Sequence, residues 1–283
     1  MNAIEITQLR KSYPGFDLGP LDLSLPQGCI MGLIGENGAG KTTTIRLILD
    51  MLQRDGGSIR LLGRGDGEDV MLTREETGVV LDEVSFPECF NTRQVNNVMR
   101  LTYKNWDEAA YREYLRRFDL PEGKPFKDFS RGMKMKLGIA VALSHKPKLL
   151  ILDEPTSGLD PVVRDEVVEL FSEFTRDESH SILISSHIVS DLEKLCDYIA
   201  FIHKGDLLFC EEKDRLLEEY GIFTDSTEQL ECLQPEAIVA REPNGYGGVR
   251  ALIKRDLTPS GFQLEKPSVE DIVLFLVKGA KAK

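Results

Sequence analysis

The 283-residue chain has no apolar run near the roughly 20 residues that a bilayer-crossing helix needs. The longest candidates, Leu149 to Leu152 and Ile272 to Val277, are far too short. The opening segment, MNAIEITQLRKSY, lacks the apolar middle of a secretion signal, so a cytosolic protein is expected. Cysteine is sparse and scattered: Cys29, Cys89, Cys196, Cys210 and Cys232 are odd in number and include no CxxC pair. That pattern excludes a disulfide framework or a cysteine metal site and fits reduced thiols. Positive charge is in deficit. The formal net charge is −12, a surface that repels phosphate backbones and argues against nucleic acid as a partner. Internal repeats and low-complexity tracts are absent as well.

A globular core is affordable, with 41% hydrophobic and 29% charged residues. Residues 3 to 9 and 18 to 25 alternate apolar and polar, as half-buried strands do, with Leu21, Leu23 and Leu25 on one face. Cys29 to Ile34 and Lys148 to Leu152 are continuous apolar runs, the mark of buried strands. Ser181 to Ser186 is strand-like, and Tyr198 to Phe209 predicts two strands about Lys204-Gly205-Asp206. Between these lie helical patterns. One carries Ile45, Leu49 and Leu52 and stops at Asp55-Gly56-Gly57. A charge-rich helical stretch runs from about Pro87 to His145. A further helix opens at Asp160-Pro161, with Asp as N-cap and Pro at the first helical position. Alternating strands and helices imply an α/β fold around a largely parallel sheet. After about Leu216 the character changes. A hairpin pattern surrounds Pro243-Asn244-Gly245, and Ser268 with Asp271 resembles a capping box before Val269, Ile272, Val273 and Leu276. This part reads as a small α+β appendage without a chemistry-bearing motif.

Residues 35–42 read GENGAGKT, a full match to G-x-x-x-x-G-K-(S/T), with a buried strand before and a helix after. Glycines let the backbone curl so that several N–H groups face one point, and the helix adds its positive dipole end. Lys41 is then placed for the β- and γ-phosphates, and Thr42 for Mg²⁺. The strand Leu149–Leu152 ends in Asp153-Glu154, and the carboxyl ends of parallel strands are where ligands bind. Asp153 there is placed to hold Mg²⁺ largely through water, and Glu154 to orient and deprotonate an attacking water.

Two further motifs narrow the reading. FSRGM at 129–133 precedes LLILDEPTSGLD at 149–160, and His187 follows in LISSH. This order resembles that of ABC ATPases over about residues 3 to 215. The resemblance implies a P-loop NTPase domain of ABC type, residues 1–215, with an antiparallel β-subdomain and a helical subdomain at about 87–147. Residues 216–283 then form a C-terminal accessory domain. It implies ATP and Mg²⁺ as ligands, with Gly35, Asn37, Gly38, Gly40, Lys41, Thr42 and Thr43 at the phosphates and Tyr13 stacked on adenine. It also implies a second ATPase subunit, identical or not, packed head to tail. Ser130 and Gly132 of one signature loop then meet the ATP of the other subunit, and Asp160 of the D-loop is counted among the ATP-binding residues. His187 matches the switch histidine that contacts the γ-phosphate. Ser130 also reads as a helix N-cap. The expected partner in function is a transmembrane permease, with the chain held peripherally at the inner face of the membrane and nucleic acid excluded.

Three positions depart from the family pattern. Arg131 and Met133 replace a glycine and a glutamine of the signature, and Asp82 stands where a Mg²⁺-sensing glutamine is usual. As an acid, Asp82 is expected to bind Mg²⁺ but cannot donate an amide hydrogen bond. The RGMK sequence, the Asp82 loop and the C-terminal appendage are most similar to bacterial antibiotic or multidrug exporter ATPases. A soluble single-cassette ABC ATPase of complex or cofactor assembly is the alternative.

Overall fold

A computed structural model describes residues 1–245 and 247–281. The chain opens with β1 (Asn2–Tyr13) and β2 (Phe16–Pro26), an antiparallel hairpin, followed by β3 (Ile30–Ile34) and α1 (Lys41–Ile48). Next come β4 (Gly56–Leu61), α2 (Val70–Glu75) and β5 (Thr77–Val80). Three helices, α3 (Thr92–Thr102), α4 (Glu108–Arg117) and α5 (Arg131–Ser144), fill the charge-rich stretch. Then β6 (Leu149–Asp153), α6 (Pro161–Phe174), β7 (Ser181–Ser186), α7 (Val189–Leu195), β8 (Tyr198–His203) and β9 (Asp206–Glu212) complete a six-stranded sheet. Its order is β5-β6-β7-β3-β8-β9, parallel except for the β9 edge. A second sheet, β2-β1-β4, is antiparallel. The α/β expectation with a largely parallel sheet therefore holds.

The central strands alternate between two cores, as a period of two requires when both faces are covered. Met31, Leu33, Leu149, Ile151 and Leu183 face the antiparallel sheet and α1. Ile30, Ile34, Leu150, Leu152, Ile182 and Ile184 face the helical side with Phe171 and Leu192.

The α1 helix ends at Ile48, earlier than Asp55-Gly56-Gly57 suggests. Asp50 takes a left-handed conformation (φ 56°), Asp50 N–H bonds to Leu47 O at 3.1 Å, and Met51 N–H bonds to Arg46 O at 2.8 Å. These are the two bonds of a Schellman stop, which usually employs glycine. The Lys204-Gly205 turn has positive φ at both residues, 50° and 92°, the twist a two-residue hairpin prefers. Gly205 also donates its N–H to Ala39 O at 2.9 Å and accepts from Gly19 N–H at 2.8 Å, tying the glycine loop to both sheets.

After β9 come α8 (Lys213–Glu219), β10 (Tyr220–Asp225), α9 (Thr227–Leu230), β11 (Ile238–Pro243), β12 (Val249–Lys254) and α10 (Val269–Lys281). The hairpin around Asn244 is present, and β10 adds a third strand beside β12. The capping box also forms: Ser268 Oγ accepts from Asp271 N–H at 3.0 Å, and Asp271 Oδ2 accepts from Ser268 N–H at 3.1 Å. Ile222, Leu252, Val269 and Ile272 join the helical-side core, while Phe223, Leu230, Val249 and Ile253 form a small core of their own. The α8 helix spans residue 215, so the appendage continues from the sheet without a linker.

Candidate active site

Four adjacent strands, β5, β6, β7 and β3, deliver the candidates for phosphate, metal and base at their carboxyl ends. Asp82 follows β5, Asp153-Glu154 closes β6, His187 follows β7, and the glycine loop follows β3. The sheet order alone thus gathers residues that are up to 152 positions apart, Gly35 and His187 being the extremes.

The glycine loop is shaped by close contacts. A Cβ on Gly35 would lie 2.5 Å from Ile202 O, and one on Gly40 (φ 119°) 2.6 Å from the Leu18 side chain. The loop therefore packs against β8 and β2 in a way only glycine allows. Lys41 opens α1 and folds back into the loop. Its Nζ donates to Gly35 O at 2.8 Å and stands 3.5 Å from Glu154 Oε1, with only 7% of the side chain exposed. The first N–H groups of α1 have no partner within the helix and, with its dipole, favour an anion at this end.

Glu154 holds a left-handed backbone (φ 51°), costly for a non-glycine residue. It is pinned by its N–H, which bonds to Ser185 Oγ at 3.0 Å. Ser185 Oγ in turn donates to Asp153 Oδ1 at 2.6 Å, so one hydroxyl orients both acids. Asp153 is 1% exposed. Glu154 Oε2 accepts a 2.7 Å hydrogen bond from His187 Nδ1, which fixes the proton on that nitrogen. The carboxylate therefore sits between an imidazole and an ammonium.

Asn37, Gly38, Gly40, Lys41, Thr42, Thr43, Asp82, Glu154 and His187 surround one cavity of about 410 Å³. Phe16, Glu36 and Ser157 complete its wall. Asp82 stands at the rim, where its Oδ1 accepts from Arg131 Nη2 at 2.6 Å. Tyr13 pairs across the β1–β2 turn with Phe16, is 38% exposed, and has Lys11 Nζ 5.5 Å from its ring centre. Ser130 and Gly132 lie at the start of α5, where Ser130 Oγ caps Met133 N–H at 3.2 Å. Asp160 caps α6 through Val162 and Val163 N–H at 3.2 and 3.1 Å. Phe16 and Ser157 of the cavity wall, and Ser185 behind Asp153 and Glu154, are residues the sequence motifs do not point to. Ser185 left only a weak signal, one of three serines in a strand that reads SILISS.

A family model described as ABC transporter matches residues 18–157. The ABC transporter ATP-binding protein YtrB of Bacillus subtilis (strain 168) is 33% identical over 221 residues, covering 77% of this chain and 74% of that protein. This chain belongs to the ABC transporter ATP-binding proteins. The lantibiotic transport ATP-binding protein SrtF of Streptococcus pyogenes is 36% identical over 216 residues, 75% of this chain and 91% of that one. A solved ATP-binding subunit of an ABC transporter superposes with a TM-score of 0.68 at 27% identity, covering 76% of this chain and 91% of its own. As an ABC ATPase, the chain binds ATP and hydrolyses it in the service of transport. The matched relatives make transport, rather than soluble complex assembly, its purpose.

Proposed function

We propose that this ABC ATPase powers export through a separate membrane-spanning partner, with Glu154 as the general base of ATP hydrolysis. The Glu154–His187 hydrogen bond of 2.7 Å, with Lys41 3.5 Å from the same carboxylate at one cavity, carries the reading. Glu154 takes the proton of a water aimed at the terminal phosphate, and His187 holds the carboxylate in place. Gly35, Asn37, Gly38, Gly40, Lys41 and Thr43 bind the phosphates through backbone N–H groups and the ammonium. Thr42 and Asp153 supply the hard oxygen donors that suit Mg²⁺, which neutralises phosphate charge when bound. Asp82 joins that set only by exchanging Arg131 for the ion. Tyr13 and Phe16 are the aromatic candidates for the adenine ring. Ser130, Gly132 and Asp160 serve the ATP of a second subunit packed head to tail.

A membrane-spanning partner is needed because, among the described residues, no helix is long and apolar enough to cross a membrane. A docking surface is available. Met51, Val70, Met71 and Leu72 are 42–75% exposed, and Met51 and Val70 border a cavity of about 490 Å³ with Tyr103. Exposed apolar groups gathered in this way favour a partner over solvent. Residues 1–215 are proposed as the ATPase domain, with 87–147 as its helical part and 216–283 as its accessory domain. The kinship with a lantibiotic transport protein favours a bacterial exporter acting at the inner face of the membrane.

The test is purification of the tagged chain from its native membranes. A stoichiometric complex with a protein of about six apolar spans, whose presence changes ATP turnover, is expected. Recovery wholly outside the membrane fraction, with turnover indifferent to any membrane protein, would refute the proposal.

A further inference from the structure

Arg131 and Asp82, two of the three departures from the family pattern, are bonded to each other. Asp82 borders the ATP cavity and also an adjoining cleft of about 490 Å³ that contains Arg131 and Lys134. The 2.6 Å contact joins the end of β5 to the start of α5, 49 residues later. The arginine stem lies over a bare turn: a Cβ on Gly158 would sit 3.4–3.5 Å from Arg131 Cδ, Nε and Nη1. A side chain at Gly158 would crowd that path, and its φ of 72° favours glycine there in any case. Lys134, the other cation of the cleft, is engaged elsewhere, with Nζ 4.8 Å from the Phe126 ring centre.

We propose that Arg131 is a positioning residue for Asp82: it holds the carboxylate at the cavity wall and cancels its charge there, so that a polyphosphate can bind where a free carboxylate would repel it. The proposal rests on the cavity being the ATP site. A family glutamine is neutral and needs no such partner, whereas an acid in its place does. The pair is half-exposed, so it contributes little to folding, but its effect on a ligand of three to four negative charges is multiplied by that charge.

The test is titration of the dilute full-length chain with a fluorescent ATP analogue in EDTA, so that no metal can substitute for Arg131. Dilution keeps the chain monomeric, and the measurement is of binding, not turnover. Arg131→Gln should weaken binding about three- to tenfold at low salt, and much less at high salt, where the Debye length is about 3 Å. Arg131→Lys should retain most of the affinity. Asp82→Asn should bind as tightly as wild type or more so, and adding it to Arg131→Gln should restore the Asp82→Asn value. A merely structural Arg131 would show neither the salt dependence nor the rescue. Wild-type affinity in Arg131→Gln, or a double variant as weak as that single one, would overturn the proposal alone. Failure of the wild-type chain to bind the analogue would overturn the ATP-site reading and this proposal with it.

Discussion

Replacing Glu154 by Gln separates chemistry from binding. The substitution preserves shape, and the amide oxygen can still accept from His187 Nδ1 at the 2.7 Å position now held by Oε2. The left-handed backbone at residue 154 is no harder for Gln than for Glu, so folding should be unaffected. Two things are lost: the base, and the negative charge 3.5 Å from Lys41 Nζ. A positioned general base contributes about 10²–10⁴ in rate, or about 3–5.5 kcal/mol of barrier. Turnover should therefore fall by at least two orders of magnitude. Nucleotide affinity should be unchanged or higher, because Lys41 no longer shares its charge with a carboxylate and is free for phosphate. Phosphate release at saturating ATP and Mg²⁺ gives the first quantity, titration with a fluorescent ATP analogue the second, and a thermal melt controls for folding. Turnover within a few-fold of wild type would refute Glu154 as the base. Loss of binding together with turnover would instead make it a structural residue of the cavity.

The same variant should accumulate as a dimer in Mg²⁺ATP and remain monomeric without nucleotide, as light scattering would report; a nucleotide-independent dimer would instead implicate the C-terminal appendage. Asp160→Ala removes an acceptor of two N–H groups at the start of α6 and should cost about 1 kcal/mol in urea unfolding; no change would mean that the cap is already supplied by water. His145 is fully buried and stacked on Tyr103 at 4.0 Å, and burial holds its imidazole below the ordinary value, against the opposing hydrogen bond to Glu75 O. With the folded value depressed, the unfolded chain takes up the proton first. Stability should fall as pH drops below about 6.5, by at most about 1.4 kcal/mol per pH unit from this group. His145→Phe keeps a ring on Tyr103 and should flatten the profile between pH 7 and 5.5; parallel wild-type and variant profiles would show that His145 does not titrate there.

What the sequence made legible was local. The glycine loop and the Asp153-Glu154 pair are runs of adjacent residues, and the caps at Ser130, Asp160 and Ser268 are set by bonds within three positions, so spacing alone exposes them. The end of α1 was misread because the stop is built on Asp50, where a glycine would have announced it. Long-range relations were hidden for a different reason. Ser185 reaches Asp153 across 32 positions because β6 and β7 are neighbours, a fact of strand order that no single strand carries. The same holds at the far end of the chain. The α10 helix reads as an isolated amphipathic segment, yet Val269 N–H bonds to Glu193 Oε2 at 3.3 Å on α7, the helix that begins two residues after His187. Leu192 and Leu195 of α7 share a core with Val269 and Ile272. The appendage carries no catalytic motif, but it buttresses the element that follows His187. Among the described residues beyond 215 none lines the cavity that contains Glu154 and His187, but those packed on α7 steady the helix that starts beside His187.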